Sequence, residues 1–402
     1  MTMAVDKQDK VLNVPTLRFP EYRDKWLECE LQDIADLSKG AGISKDQLSE
    51  TGESCILYGE LYTKYKSEVI SNVVSKTNIE STNLVRSKAN DVIIPSSGET
   101  AIDISTARCV PYDNILLGGD LNIIRLKDQD GRFFSYQLNG VRKLDIAQIA
   151  QGVSVVHLYG ESLKRLKVRY PSKSEQEKIS SLLSVLDERI ETQNRIINEM
   201  QSLISGITQR ISKHSSVRMV LLSELLVERN EKNTELFPVH SVSVSEGVIN
   251  QIDYLGRSFS AADTSHYNVA HRGDIIYTKS PTGEFPFGIV KRNSVETNVS
   301  VSPLYGVYKP VSDEVALYIH YYFCSPLNAQ NYLHKLIQKG AKNTINITNQ
   351  RFLENIIPLP EKKTLTGFVK LISAVSEKLK LEKSLLETLQ AQKRYLLTQM
   401  FV

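Results

Sequence analysis

Residues 174–213 read SEQEKISSLLSVLDERIETQNRIINEMQSLISGITQRISK, and the interpretation of the whole chain starts from this stretch. The spacing predicts one helix roughly 60 Å long, at 1.5 Å per residue. So narrow an apolar stripe is typical of a helix that packs against a second helix. The polar Gln193 lies within the stripe, whose apolar members, at steps of three and four, are Ile179, Leu182, Leu186, Ile190, Ile197, Met200, Ile204, Ile207 and Ile211.

The start of this helix is also marked in the sequence. Pro171 cannot continue a helix from upstream, because its ring removes a backbone donor and clashes with the preceding turn. Ser174 and Glu177 have the spacing of a capping box, in which each side chain accepts the backbone N–H of the other residue. We therefore expect Ser174 to cap the helix.

A second seam of the same kind begins near the end of the chain. Charged Glu382 and Lys393 occupy two of its positions. We interpret the two seams as an intramolecular helix pair, parallel or antiparallel; the alternative is two separate coiled coils that join other subunits. The apolar members of the second seam are Leu365, Phe368, Ile372, Val375, Leu379, Leu386, Leu389, Leu396 and Met400.

The segment before the first long helix has the pattern of a mixed α/β globule of about 150 residues. Short apolar runs typical of strands occur at residues 55–58, 91–94 and 122–126, separated by turns that contain Gly and Asp. Short helices are expected around residues 33–37 and 145–151.

The same plan starts again after Lys213, at a nearly constant offset, which indicates a duplication. The order is therefore globule, helix, globule, helix. We expect a leader at 1–25, a first globule at 26–171, a helix at 172–213, a second globule at 214–360 and a second helix at 361–402. The matching segments are 31–37 with 220–226, 90–95 with 273–278, 151–152 with 339–340, and 163–171 with 352–360.

Composition narrows the class of protein without deciding it. The 402 residues carry a net charge of +3, so binding to nucleic acid is allowed but not indicated by charge alone. The four cysteines are scattered, which favours a reduced protein without a zinc site. Because the first residues are polar and no apolar run approaches the ~20 residues of a membrane span, we expect a soluble cytoplasmic protein.

Two short motifs stand out in the sequence. One is Pro-x-x-x-Glu-Gln-x-x-Ile, which runs from Pro171 to Ile179 with Glu175 and Gln176. The other is the leader at 17–20, LRFP, before a tryptophan. Both resemble motifs of a known family, the specificity (S) subunit, HsdS, of bacterial and archaeal type I restriction–modification systems. The second junction departs from the pattern, with Thr364 and Leu365 in place of Glu-Gln.

The resemblance implies an α+β fold with two tandem target recognition domains, whose following helices pair as a coiled coil with pseudo-twofold symmetry. Each domain would read one half of a bipartite target in double-stranded DNA, and the helices would set the spacer. Two methyltransferase (M) subunits would dock and methylate adenine, and restriction (R) subunits would join. S-adenosylmethionine would belong to the M subunits and ATP with Mg to the R subunits, with no cofactor in this chain and no membrane partner.

Candidate DNA contacts are polar, basic and aromatic residues in turn-prone segments, since phosphates take Lys, Arg, Ser or Thr and bases take Arg, Asn or Gln. The alternative is that the tyrosines pack in the core and the lysines are solvated. In the first globule the candidates are Tyr58, Tyr62, Lys64, Lys66, Ser96, Ser97 and Thr100. In the second they are Arg257, Lys279, Ser280, Thr282, Lys342 and Asn343.

Apolar residues expected to point away from the seam are candidates for M-subunit docking: Leu183, Val185, Ile196 and Leu203. The pair Asp187 and Glu188 is expected on a solvated helix face. The sequence contains no Gly-x-x-x-x-Gly-Lys loop and no Asn-Pro-Pro-Tyr or Asp-Pro-Pro-Tyr motif. We therefore expect no catalytic residues and no metal, and a non-catalytic specifier; the alternative function is a coiled-coil adaptor that binds proteins instead of DNA.

Overall fold

The computed structural model describes residues 14–80, 83–214, 216–257, 260, 263–339 and 345–402. The chain forms two compact units. The first contains the residues up to Asn194 together with Leu385–Val402, and the second is Arg195–Ser384.

The strands of the first unit are β1 (Leu27–Glu30), β2 (Ala35–Lys39), β3 (Leu48–Ser49), β4 (Glu53–Ile56), β5 (Ser75–Thr77), β6 (Val85–Arg86), β7 (Asp91–Pro95), β8 (Ser97–Gly98), β9 (Arg108–Val110), β10 (Leu116–Leu117), β11 (Leu121–Leu126), β12 (Val156–His157) and β13 (Lys167–Tyr170). Its helices are α1 (Leu31–Ile34), α2 (Glu60–Thr63), α3 (Ala101–Ile104), α4 (Gly131–Asn139), α5 (Lys143–Ile149), α6 (Gly160–Lys164) and the first half of α7 (Lys173–Ser212). A 3-10 turn spans Lys45–Gln47.

The strands of the second unit are β14 (Arg218–Leu221), β15 (Leu226–Glu228), β16 (His240–Ser243), β17 (Gly247–Asn250), β18 (Asn268–Ala270), β19 (Ile275–Tyr277), β20 (Val290–Arg292), β21 (Val299–Val301), β22 (Gly306–Pro310), β23 (Gln338–Lys339), β24 (Ile345–Asn346) and β25 (Ile356–Leu359). Its helices are α8 (Gln251–Leu255), α9 (Asp313–Phe323), α10 (Pro326–His334), α11 (Asn349–Phe352), the part of α7 after Asn194 and the part of α12 (Lys362–Gln399) up to Ser384. The rest of α12 belongs to the first unit. A 3-10 turn spans Leu222–Glu224.

The two units share one sheet order, so the duplication expected from the sequence is present in the fold. The first has an antiparallel sheet β2-β11-β7-β9 and the second has β15-β22-β19-β20. Each unit also pairs its first strand with the strand before a long helix, β1 with β13 and β14 with β25. The α+β prediction is confirmed.

The detailed match between the copies differs from the sequence alignment. Leu31 N–H donates to the carbonyl of Leu166 and Leu222 N–H to that of Asn355, both at 2.9 Å. Leu31 therefore corresponds to Leu222, and the alignment that placed Val220 opposite Leu31 was wrong by two residues. Residues 35–37, expected to be helical, belong to strand β2, because this segment pairs with β11.

Strand β7 shows why its sequence is almost continuously apolar. All five of its residues are buried. Val92 and Ile94 belong to one hydrophobic core and Ile93 to a second core on the opposite face. The second unit repeats this arrangement, with Ile275 in one core and Ile276 in the other. A strand covered on both faces loses the alternation of a half-exposed strand.

The supplementary sheets are duplicated only in part: the antiparallel pair β6-β10, which precedes β7 and β11, recurs as β18-β21, which precedes β19 and β22. The first unit adds a five-stranded sheet, β3-β5-β4-β10-β6, whose β4 and β10 run parallel. The second unit adds the separate pairs β16-β17 and β18-β21.

The long helices run antiparallel where they pack in the first unit. Leu183 shares a core with Met400, and Asp187 on the next turn of α7 lies 2.5 Å from Lys393. Increasing numbers on α7 therefore meet decreasing numbers on α12. In the second unit Ile204 of α7 packs in one core with Phe368 of α12. The sequence left parallel and antiparallel pairing open, and these contacts decide it.

Helix α7 departs from the sequence prediction in two local features. It begins at Lys173, so Ser174 is its second residue, and the predicted capping role of Ser174 was wrong. Leu183 is fully buried while Leu182 is 39% exposed, the reverse of the prediction. The cause is that this part of α7 packs against the globule as well as against α12, as the hydrogen bond from the Tyr136 hydroxyl to Asp187 shows (2.8 Å).

The two family-like motifs are joined by a buried ion pair. Arg18 binds both carboxylate oxygens of Glu175 at 2.7 Å, and Glu175 is 1% exposed. The Gln176 side chain accepts the N–H of Asp130 at 3.1 Å and donates to the carbonyl of Pro171 at 2.9 Å. These contacts fix the start of α7 against the leader and the turn before α4.

In the described part of the chain, no helix combines the length and the apolar content that a membrane crossing needs.

We expect Lys393→Met to lower the free energy of unfolding of the first unit by about 3 to 5 kcal/mol, because Asp187 and Glu68 lose the cation between them while they stay buried. Urea unfolding followed by the fluorescence of Trp26, the only tryptophan and 2% exposed in this unit, measures the change.

Arg394→Met is the matched control, since the neighbouring Arg394 is exposed. We expect this control to stay within about 0.5 kcal/mol of the parent. Equal losses in the two variants would show that the buried ion pair contributes nothing specific.

Candidate nucleic-acid interface

The segment around α2 contains the aromatic and basic residues that the sequence singled out. Tyr58 and Tyr62 are half-buried, whereas Lys64 and Lys66 are exposed. The Lys64 ammonium lies 2.5 Å from the buried carboxylate of Glu60, which also accepts the N–H of Leu57 at 3.0 Å. Lys64 is thus already paired within the protein, and Lys66 is the more available cation of the two.

A groove of about 740 Å³ runs beside this segment. Tyr58 and Lys64 line one side, and the 3-10 turn with Lys45 lines the other. Lys45 is exposed, and sequence analysis did not single it out. Its signal was weak, because it is one lysine in a polar turn with no aromatic neighbour.

Tyr62 connects α2 to the short strand β8. Its hydroxyl lies beside Gly59 and Gly98, where a Cβ atom on either glycine would come within 3.7 or 3.8 Å of the oxygen. Burial raises the pKa of Tyr62, so the hydroxyl stays protonated at neutral pH. Tyr62 is therefore brought close to the strand that contains Ser97.

Ser96 and Ser97 do not lie in an exposed loop, contrary to the sequence prediction. They are 6% and 8% exposed, and Ser97 pairs with His157 between strands β8 and β12. Thr100 is exposed, and its hydroxyl oxygen accepts the N–H of Asp103 to cap α3. The serines are buried because their backbone takes part in a ladder: the carbonyl of Ser96 also accepts the N–H of Leu158.

A hairpin next to β8 was missed by the sequence analysis. Gln151 and His157 exchange backbone hydrogen bonds at 2.9 and 2.7 Å, and Val153 between them is 97% exposed. The exposed His157 ring stacks on Tyr159, with ring centroids 6.1 Å apart. A histidine and a tyrosine in stacked geometry beside Ser97 enlarge the polar and aromatic surface of the first unit.

In the second unit the predicted residues surround a tight turn. Thr282 and Phe285 exchange backbone hydrogen bonds at 3.0 and 2.9 Å, and the buried Phe285 anchors the turn. Ser280 and Thr282 are exposed. Lys279 is half-buried with a φ of 62°, and burial lowers its pKa.

Three predicted DNA contacts of the second unit remain, Arg257, Lys342 and Asn343. Arg257 is exposed and follows α8. Lys342 and Asn343 lie outside the described residues.

The proposed docking residues on α7 have different environments. Val185 and Leu203 are 55% and 52% exposed, and Ile196 is half-buried. Leu183 is fully buried in the core of the first unit, so the prediction that it points outward was wrong. Asp187 is 6% exposed, so its predicted place on a solvated face was also wrong, because it binds Lys393 and Tyr136.

A family model matches part of the chain, and the fold of nearly the whole chain resembles solved structures. Residues 23–202 match the family model described as the type I restriction modification DNA specificity domain. A crystal structure of the type I restriction–modification system S subunit from M. genitalium is 17% identical, with a TM-score of 0.64 over 97% of this chain and 99% of that chain. A chain from a study of complex assembly and conformational transition of the type I R-M system is 13% identical, with a TM-score of 0.52 over 94% of this chain and 97% of that chain.

Proposed function

We propose that this chain, whose residues 23–202 match the type I restriction modification DNA specificity domain, reads the two halves of a bipartite DNA target with its two compact units. Specificity subunits of this family are non-catalytic DNA-recognition subunits. The methyl transfer to adenine and the cleavage belong to the M and R subunits, together with their S-adenosylmethionine, ATP and Mg.

The observation that carries the proposal is the duplicated sheet. Two units with one strand order, each connected to a long helix, give two similar reading surfaces in one chain. Proteins with twofold or pseudo-twofold symmetry bind half-sites about one helical turn, or 34 Å, apart or at multiples of that distance.

In the first unit we assign phosphate contacts to Lys45 and Lys66, which are exposed cations near the 740 Å³ groove and α2. Lys64 contributes less, since Glu60 already neutralises it. Tyr62, Thr100 and His157 form the polar and aromatic surface beside them and are the candidates for contacts with bases.

In the second unit the exposed turn with Ser280 and Thr282 takes the equivalent role. We add Lys279 and Arg257 to this surface, and we keep Lys342 and Asn343 as candidates on their sequence alone.

The exposed apolar residues Val185 and Leu203 support docking of M subunits on α7. Ile196 is half-buried and contributes a smaller surface. Leu183 is withdrawn from this set because it is buried.

The decisive experiment is co-expression of this chain with its methyltransferase subunit, followed by genome-wide mapping of N6-methyladenine. We expect a split motif methylated on both strands that disappears when this chain is omitted. An active methyltransferase with the same motifs in the presence and absence of this chain would instead favour a coiled-coil adaptor that binds proteins.

Lys45→Ala combined with Lys66→Ala should weaken binding to all DNA sequences to a similar degree. Each lost phosphate contact should reduce the slope of log K against log salt by about 0.9, because fewer counterions are released. Fluorescence anisotropy at several salt concentrations measures this slope.

Lys164→Ala is the control, since Lys164 is paired with Glu161 on α6 at 2.5 Å. An unchanged slope in the double variant would remove Lys45 and Lys66 from the interface. A change of motif with an unchanged slope would reassign them to base readout.

Insertion of four helical residues after Asn194 and four after Ser384 should lengthen the unread spacer by about two base pairs, because four residues add about 6 Å. The bases read on either side should stay the same. Mapping of N6-methyladenine gives both results at once, and altered half-sites with a constant spacer would contradict the role of the helices.

Insertion after Asn194 alone is the matched control. It shifts α7 against α12 and should reduce methylation without defining a new spacer.

A further inference from the structure

Cys324 lies at the end of α9 in the second unit and faces a cavity of about 410 Å³. Cys324 is half-buried as a residue and lines this cavity. The cavity is lined by Gly247 of β17, by Ser205 of α7, and by Ser376 and Leu379 of α12. The proposed DNA contacts and docking residues are not among its lining residues, so the proposed function leaves this cluster unused.

Two donors point at the sulfur. The Lys291 ammonium lies 3.5 Å from Sγ and the Nε2 atom of His320 lies 3.8 Å from it. The backbone N–H of Arg292 donates to Nδ1 of His320 at 3.1 Å. Because Nδ1 is thus an acceptor, the neutral ring carries its proton on Nε2 and presents an N–H to the sulfur.

Lys291 needs an anion at this position. It is 6% exposed, and within the described part of the chain it makes no ion pair with a carboxylate. A buried ammonium without a counter-charge is costly, and the only hydrogen bond recorded for its side chain there is to Cys324. A thiolate at Cys324 supplies the missing charge.

The acidity of the thiol agrees with this geometry. Burial raises the pKa of Cys324, but the hydrogen bonds of His320 and Lys291 and the positive charge of Lys291 oppose burial, and the pKa is lowered. The other cysteines behave in the opposite way, since burial raises the pKa of Cys29, that of Cys55 to about 11 and that of Cys109 to about 12. Cys324 is the one cysteine of the four whose pKa is lowered.

We propose that Cys324 is a modification site that forms a mixed disulfide with small anionic disulfides, held and activated by Lys291 and His320. The thiolate attacks one sulfur of the reagent, a new S–S bond forms and the old one breaks. The second half leaves as a thiolate, so that Cys324 is oxidised and the leaving half is reduced.

The preference for anions follows from the charges around the cavity. Lys291, Arg292 and Lys383 line it, against the single carboxylate of Glu246. Arg292 also binds Asp313 at 2.5 Å, which leaves Lys291 and Lys383 as the cations without a carboxylate partner in the described residues.

An adduct in the cavity would lie against the helix pair. The hydroxyls of Tyr321 and Ser376 are 2.5 Å apart at its wall and join α9 to α12. Modification of Cys324 would therefore act on a contact of the long helix with the second unit.

The test is the reaction of the native full-length chain with 5,5′-dithiobis(2-nitrobenzoic acid), followed by release of thionitrobenzoate across pH and by mass spectrometry of the labelled peptide. We expect one fast thiol, labelled at Cys324, whose rate falls as the pH falls through about 6, where the thiolate is protonated. The fast phase should be absent in Cys324→Ser. Labelling of Cys29 first, or an inflection near the ~8.5 of a free thiol, would overturn the proposal.

Lys291→Met and His320→Phe should each move the inflection to higher pH and slow the reaction at pH 6 on the order of tenfold, because the loss of thiolate outweighs the gain in nucleophilicity. Lys309→Met, at an exposed lysine on β22, is the matched control and should leave the profile unchanged. Circular dichroism checks that each variant is folded. Unchanged profiles in folded Lys291→Met and His320→Phe would show that neither residue activates the thiol.

Dithiodipropionate, an anionic disulfide, should react faster than cystamine, a cationic one of similar size. Equal or reversed rates would overturn the proposed preference for anions. These outcomes do not depend on DNA, so they separate a failure of this inference from a failure of the proposed function.

Discussion

The first unit depends on one buried cation, Lys393 of α12, which lies between Asp187 of α7 and Glu68 of the globule. Burial raises the pKa of Asp187, and the positive charge of Lys393 opposes that rise. Burial alone would lower the pKa of Lys393, but the two carboxylates outweigh burial and the pKa of Lys393 is raised. The three groups can stay buried only in contact with each other. A charged residue in an apolar seam thereby restricts the register of the antiparallel pair, because sliding by one turn would bury Lys393 without a carboxylate.

The same reasoning explains why the motif Glu-Gln occurs at the first junction and not at the second. Glu175 is needed because Arg18 of the leader reaches it, and Gln176 is needed because the turn at Asp130 presents a backbone N–H. In the second unit Leu365 is buried in the core, and Thr366 donates to Glu314 at 3.0 Å. The second junction is thus held by an apolar contact and one side-chain hydrogen bond. Its residues differ from Glu-Gln, whereas the strand, the proline and the helix are the same in both copies.

Local and periodic signals were the predictable part of this chain. The helix expected at 174–213 is found at Lys173–Ser212, and the apolar run at residues 91–94 is strand β7. Non-local contacts were not predictable. Leu183 is buried because the globule covers a second face of α7. Lys64 is neutralised by Glu60, and no sequence pattern indicates that Glu60 is buried. The sequence therefore predicted which segments form the candidate site but not how they are arranged. Ser96 and Ser97 were wrongly expected in an exposed loop, and the hairpin with His157 was missed. Lys291, His320 and Cys324 come together only because β20 packs against α9.

The differences between the units bear on the proposed target. The shared four-stranded sheet fixes where a reading surface can lie, and the antiparallel pair β6-β10 recurs as β18-β21. In the first unit, however, that pair belongs to one five-stranded sheet, β3-β5-β4-β10-β6, whereas β16-β17 and β18-β21 of the second unit are separate pairs. The groove with Lys45 is built partly from those supplementary residues, whereas the turn with Thr282 is anchored by Phe285 in the main core of its unit. Base readout depends on the side chains that reach the groove edges and on their spacing. Under the proposed function, surfaces built from different supplementary elements would read different bases, so we infer a target whose two halves are unlike and not a palindrome.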